Sequence, residues 1–379
     1  MTTDASRRVR VLHGYSGNLY GGVETLLATL AHHRGLSPEL DHEFALCYEG
    51  RIADELRAAG VTVHSLGPVR FGRPWTVLRA RRALRRVMGR SGPDIVVTHG
   101  SWAHALFAPV ARRTGKRVAF WMHDFAGGVH WADRLASRTP PDLAIINSRS
   151  TAETLPRLFP GMRHEVVFYP VAPPEGLDRS AVRARLRAVM GVGEGEMVIV
   201  QTSRLQAWKG QSLLIAALGR LRNRLGWVAW IAGGPQRPEE ADYLRRLETE
   251  AAALGLAHRV RFIGQRSDVP ELLAAADVHC QPNLGPEPFG IAFVEALQAG
   301  LPVVSTRIGG AAEIVTDACG ILTPPDDPSA LAEALASLLD SPNLRARLGA
   351  AGPLRAKELC DSASTMARLQ TLLTGLVRA

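Results

Sequence analysis

The sequence is 379 residues long, 46% hydrophobic and 21% charged, enough chain for two cores of ordinary domain size. Its net charge of +9 and pI near 10 admit an acidic partner such as a nucleic acid, an anionic membrane surface or a phosphorylated substrate. Only three lysines (Lys116, Lys209 and Lys357) stand against 42 arginines, so arginine is the default cation and a lysine inside a motif is the more informative residue. The start, Met1 to Arg10, has no apolar leader core, and no stretch reaches the roughly 18 uninterrupted apolar residues of a spanning helix; a soluble, cytoplasmic protein is expected. Cys47, Cys280, Cys319 and Cys360 lie too far apart for a zinc or redox motif and read as reduced structural thiols.

In chain order, residues 8–13 read as a buried strand and Val23–His32 as a helix, joined by a Gly-rich loop, Gly14 to Gly22. Between Val69 and Arg90 come eight arginines and no acid. A helical wheel over 74–90 sets Val77, Ala80, Ala83, Leu84, Val87 and Met88 against Arg79, Arg81, Arg82, Arg85, Arg86 and Arg90. This amphipathic helix either packs on a sheet with a solvated basic face or attaches to an anionic bilayer. Apolar runs at 94–99, 117–122 and 142–146 alternate with helix-length segments, the pattern of a parallel sheet covered on both faces.

Periodicity stops in the Pro-rich stretch 169–176. After an Arg-rich helix (178–190), strands follow at 197–201, 227–232, 260–263, 277–281 and 301–305. The expected architecture is α/β, with two Rossmann-like, doubly wound parallel sheets facing a central cleft. The first domain spans 1–172, with a C-terminal helix (359–379) crossing back to it, and the second spans 173–358. Open parallel sheets bind ligands at the carboxyl ends of their strands.

The most informative segment is Gly285-Pro-Glu-Pro-Phe-Gly-Ile-Ala-Phe-Val-Glu-Ala-Leu-Gln-Ala-Gly300, followed by Leu301-Pro-Val-Val and Gly309-Gly-Ala-Ala-Glu313. Glu287 occupies a Pro/Gly loop, and helical spacing begins at Ile291 and ends at Gly300. The helix N-terminus at Phe289, Gly290 and Ile291 would present free N–H groups to a diphosphate, each contact contributing about 0.3–1 kcal/mol. A second block, Thr202-Ser-Arg-Leu-Gln-Ala-Trp-Lys-Gly210, places Arg204 and Lys209 after a strand. Fixed cations there would stabilise the charge that grows on a departing phosphate.

Together these blocks resemble the family 4 retaining glycosyltransferases of the GT-B fold, most strongly over 196–325. The resemblance implies transfer of a hexosyl unit from a nucleotide diphosphate sugar, UDP- or GDP-type, to a hydroxyl of an unidentified acceptor, with retained anomeric configuration. It implies Glu287 at the donor sugar hydroxyls, Glu295 at the ribose, and Arg204 and Lys209 at the pyrophosphate. Gly233 would lie beside the nucleotide, as would the loops at 264–268 and 274–277. In the first domain it implies Gly21 and Gly22 at donor phosphate or acceptor and His123 near the reacting carbon. Asp124 would orient an acceptor hydroxyl, and His99 is a weaker candidate at the neighbouring strand end. No Asp-x-Asp metal clamp is present, so metal-independent catalysis without a cofactor is expected. A GT-B epimerase or phosphorylase and a non-catalytic nucleotide-sugar or polyanion binder remain as alternatives. A nucleic-acid partner is set aside, because neither a recognition helix nor an aromatic platform accompanies the arginines.

Overall fold

The computed structural model describes residues 7–17 and 21–378; Asn18, Leu19 and Tyr20 of the first Gly-rich loop lie outside the described residues. The chain forms two compact units, Met1–Ala172 with Cys360–Ala379, and Pro173–Leu359. The first holds seven strands: β1 (Val9–Tyr15), β2 (Leu40–Leu46), β3 (Thr62–Ser65), β4 (Ile95–His99), β5 (Arg117–Met122), β6 (Leu143–Ile146) and β7 (His164–Val166). They are paired in parallel in the order β3-β2-β1-β4-β5-β6-β7. The second unit holds β8 (Met197–Thr202), β9 (Trp227–Ala232), β10 (Val260–Phe262), β11 (Val278–Gln281), β12 (Val303–Thr306) and β13 (Gly320–Thr323). Their order is β10-β9-β8-β11-β12-β13, again with every pair parallel.

The central strands β4, β8, β9, β11 and β12 are buried along their whole length. That is why they read as continuous apolar runs rather than alternating ones. Trp227, Trp230 and Phe293 fill the second unit, and Trp121, Phe44 and Phe107 the first. Four strands left no such signal. β3, β7 and β13 are edge strands with mixed, half-exposed residues, and β2 carries Asp41 and Glu43 amid its apolar positions. β12 starts at Val303 rather than 301; Pro302 precedes the ladder, and its carbonyl accepts from the His279 N–H at 3.1 Å, consistent with proline's lack of a donor.

In each sheet the strand order reverses once, between β1 and β4 and between β8 and β11. Helices leave opposite faces at such a point and open a crevice at the carboxyl edge. The Gly-rich loop after β1, His99 at the end of β4, the Arg204–Lys209 loop after β8 and the Glu287 loop after β11 all belong to these edges.

The basic helix spans Pro74–Ser91 and buries Val77, Ala80, Leu84 and Met88. Arg81 departs from the wheel: it is half-buried and its guanidinium donates to the carbonyls of Ala105 (2.8 Å) and Leu106. Trp75 and Leu78 instead stand on the solvent face, 65% and 51% exposed. The helix Ser362–Arg378 belongs to the first unit, where Arg378 pairs with Glu39 at 2.9 Å and Arg368 with Glu165 at 3.1 Å. The four cysteines are buried, and among the described residues none forms a disulfide.

Candidate active site

In the second unit, Lys209 and Glu287 meet across the switch point, Nζ lying 2.5 Å from Oε2 with both side chains about nine-tenths buried. Lys209 is the last residue of a single turn of 3₁₀ helix, Ala207–Lys209, and its ammonium lies 4.1 Å from the Trp208 ring centroid. Glu287 is held by a parallel bridge to Gly309 and by its carbonyl, which accepts from the Gly310 N–H at 2.7 Å. A Cβ on Gly309 would lie 2.5 Å from both the nitrogen and the oxygen of Glu287, and the residue has φ +57°. Only glycine lets the two segments approach so closely.

Glu287 Oε2 accepts from Lys209, from Asn283 Nδ2 at 3.1 Å and from Gln281 Nε2 at 3.2 Å. Three donors thus converge on one buried carboxylate oxygen. Among the described residues Oε1 has no protein partner. The site therefore offers a fixed acceptor to an incoming hydroxyl. Gln281, Asn283 and Gln201, whose Nε2 donates to the Lys209 carbonyl at 2.8 Å, escaped sequence reasoning. Their signal was a polar residue closing, or just following, an otherwise apolar strand.

Gly290 caps the helix Ile291–Gln298 with φ +110°, and the first N–H groups of such a helix have no partner within it. The Phe289 ring is buried and Ile291 half-buried, so at this turn the backbone is the available recognition surface. Glu295 lies one turn further on, partly buried, and burial pushes its carboxyl up to about 7. Arg204 is half-buried, and its guanidinium has no ion pair or hydrogen bond among the described residues. Its carbonyl accepts from Gln211 Nε2 at 2.9 Å. Gly233 follows β9 with its N–H on the Gly264 carbonyl at 2.8 Å, which joins two of the sequence-identified loops.

In the first unit, Gly21 and Gly22 open the helix Gly22–His32, and Gly21 is extended, with φ −171°. Asp124 is exposed, its Oδ1 accepting from the Phe125 N–H at 2.8 Å. His123 is buried, and both of its ring nitrogens are engaged: Nε2 with His99 Nδ1 at 2.9 Å and Nδ1 with the Tyr169 hydroxyl at 2.5 Å. Its carbonyl accepts from Asn147 Nδ2 at 3.1 Å. His99 continues through Nε2 to His13 Nδ1, and His13 Nε2 to His42 Nδ1, each at 2.9 Å. Burial holds His123 down to about 3 and His42 to about 4. His13 and His42 were missed by sequence reasoning because each lies inside a strand and belongs to no motif.

Residues 182–355 match the family model for glycosyl transferases group 1, and residues 20–173 that for glycosyltransferase family 4. A GDP-mannose-dependent alpha-(1-6)-phosphatidylinositol monomannoside mannosyltransferase of Mycolicibacterium smegmatis is 33% identical over 314 residues, covering 77% of this chain and 79% of that protein. A D-inositol 3-phosphate glycosyltransferase of Corynebacterium glutamicum is 33% identical over 204 residues, 52% of this chain and 47% of that protein. Among solved structures, Anabaena Alr3699/HepE in complex with UDP and glucose superposes with a TM-score of 0.85 at 24% identity, over 97% of this chain and 100% of the other. The chain belongs to the family 4 glycosyltransferases, enzymes of GT-B fold that transfer a sugar from a nucleotide sugar.

Proposed function

We propose that this enzyme is a retaining, metal-independent hexosyltransferase that takes mannose from GDP-mannose and delivers it to a hydroxyl of an inositol-phosphate acceptor. The observation that carries the reading is the buried Lys209–Glu287 pair, with Glu287 Oε1 left over for a sugar hydroxyl. The choice of donor and acceptor follows the names of the two relatives above. In this reading Arg204, Lys209 and the N–H groups of Gly290 and Ile291 receive the pyrophosphate, Glu295 the ribose, and the Gly233 loop the base. Gly21, Gly22, His123 and Asp124 serve the donor phosphate and the acceptor. The bond from the anomeric carbon to the phosphate oxygen breaks as the acceptor oxygen bonds on the same face. The acceptor proton passes to the departing phosphate.

Incubation with GDP-mannose in excess EDTA, followed by NMR of the product, tests the chemistry. An α-linked product formed at an undiminished rate is expected. An inverted linkage would exclude retention, and loss of turnover in EDTA would exclude metal independence.

Glu295 gives the binding step a pH signature. Its carboxyl holds a proton up to about 7, whereas the solvated value is 4.5. Between those values the folded chain retains a proton that the unfolded chain has lost. The group's contribution to stability is thus complete below the lower value and is lost as pH rises through the upper one. Ribose hydroxyls donate to the ionised carboxylate, so binding releases a proton and GDP affinity is expected to rise across the same window. Calorimetry in buffers of different ionisation enthalpy should show that proton; Glu295→Gln should abolish it, and a pH-independent wild-type affinity would exclude the ribose role.

The helix Pro74–Ser91 supports peripheral attachment to an anionic bilayer. Exposed Trp75 and Leu78 lie among exposed arginines on a face without an acid, and polybasic surfaces gain about 1 kcal/mol per cation near such a membrane. Vesicles with 30% anionic lipid are expected to pellet the wild type at low salt and to lose the Arg82→Glu/Arg86→Glu variant. Equal recovery of both proteins would exclude this surface. Among the described residues no helix is long and apolar enough to cross a membrane.

A further inference from the structure

Four adjacent strands of the first sheet each deliver one histidine to a single line. His42 lies on β2, His13 on β1, His99 at the end of β4, and His123 directly after β5. Successive rings are joined nitrogen to nitrogen at 2.9 Å, and the His99 and His123 planes differ by 2°. The line ends in hydroxyls, Tyr169 at 2.5 Å from His123 and Ser37 at 3.3 Å from His42.

A neutral imidazole has one N–H and one acceptor nitrogen. Joined this way, the four rings must all point the same way, and the groups at the ends choose the direction. Asn147 has its carboxamide orientation fixed, because Nδ2 donates to the His123 carbonyl and Oδ1 accepts from Thr151. The same Nδ2 donates to the Tyr169 oxygen, which favours Tyr169 giving its own proton to His123 Nδ1. At the far end the Ser37 hydroxyl donates to the Arg34 carbonyl, which favours its oxygen accepting from His42 Nε2. Both ends select the Nε2–H form for every ring.

We propose that His13, His42 and His99 are positioning residues that lock His123 into one neutral tautomer through this row, a role that rests on the reading of His123 as a site residue. Protonating any ring would break a link, because each nitrogen is already committed. The charged groups nearby are few: Arg34 beside His42, and Glu24, which accepts from the Tyr15 hydroxyl next to His99. Arg34 opposes protonation of His42, and burial opposes it along the whole row. His123 thus contributes shape and a fixed hydrogen-bond pattern rather than a proton.

The test is nitrogen NMR of 15N-histidine-labelled full-length protein at neutral pH, read together with steady-state kinetics. Wild type is expected to show all four row histidines as neutral Nε2–H tautomers. His42→Phe and Ser37→Ala remove the acceptor at the distal end, so only the Tyr169 end still biases the row. His123 is then expected to gain an Nδ1–H population, with kcat falling about tenfold and donor KM held, the scale of one lost hydrogen bond at a positioned group. Ser37→Ala carries the test should the His42 variant not fold. Opposed tautomers in wild type, or a His123 tautomer and kcat unmoved in a folded variant, would overturn the proposal. Absence of sugar transfer by the wild type would fail the functional reading instead, and the tautomer spectra would still decide the row.

Discussion

Lys209→Met is expected to lower kcat by about 10²–10³-fold, the scale of removing one fixed donor from a developing anion, and to destabilise the second unit by about 3–5 kcal/mol, the cost of stranding one member of a buried pair. The cause of the second effect is specific. Glu287 stays buried, and its Oε2 is left with only the amides of Gln281 and Asn283. Neutralising both members removes the stranded charge. Lys209→Met/Glu287→Gln should therefore recover most of the lost stability in urea unfolding while remaining inactive. A single variant as stable as wild type would mean that the pair is solvated and contributes little. A double variant that regained turnover would remove both residues from the chemistry.

Gly309→Ala is expected to cost about 1–3 kcal/mol, the range for a non-glycine residue held at an unfavourable backbone angle, and to reduce turnover by at least tenfold. The methyl carbon would fall 2.5 Å from the backbone of Glu287, so either the bridge between the two segments opens or Glu287 moves. Either response displaces Oε1, and displacement of about 1 Å at a reacting group costs on the order of 100-fold. The Lys209–Glu287 contact should loosen without vanishing, so GDP should still bind. Calorimetry that found GDP binding lost together with turnover would point to collapse of the whole unit rather than misplacement of one carboxylate.

The central strands and the Glu287 segment were legible in the sequence for one physical reason. Strands covered on both faces leave apolar runs, and the helix that begins at Ile291 is bounded by glycines at 290 and 300. The edges of both sheets were not legible, because β3, β7 and β13 are short and half-exposed. Arg81 was assigned to the wrong face, since a helical wheel does not register a guanidinium that reaches the carbonyls of a neighbouring helix. The amides around Glu287 and the histidine row were invisible for a different reason. None of these residues belongs to a motif: the turn of the loop after β11 brings Gln281 and Asn283 to Glu287, and the strand order brings His13 to both His42 and His99. Arg204, Lys209, Glu287 and Glu295 were visible as residues, whereas the Glu287 oxygen that has no partner among the described residues is a property of the folded site alone.

That oxygen carries the functional reading, and the rate of mannosyl transfer from GDP-mannose to an inositol-phosphate acceptor, measured for wild type and Glu287→Gln under saturating donor, tests it most directly. Glu287→Gln is expected to bind GDP within a few-fold of wild type and to form product at least 100-fold more slowly, as for loss of a charged contact made most strongly in the transition state. Product formation at the wild-type rate by the folded variant would contradict the assignment of Glu287 to the donor sugar.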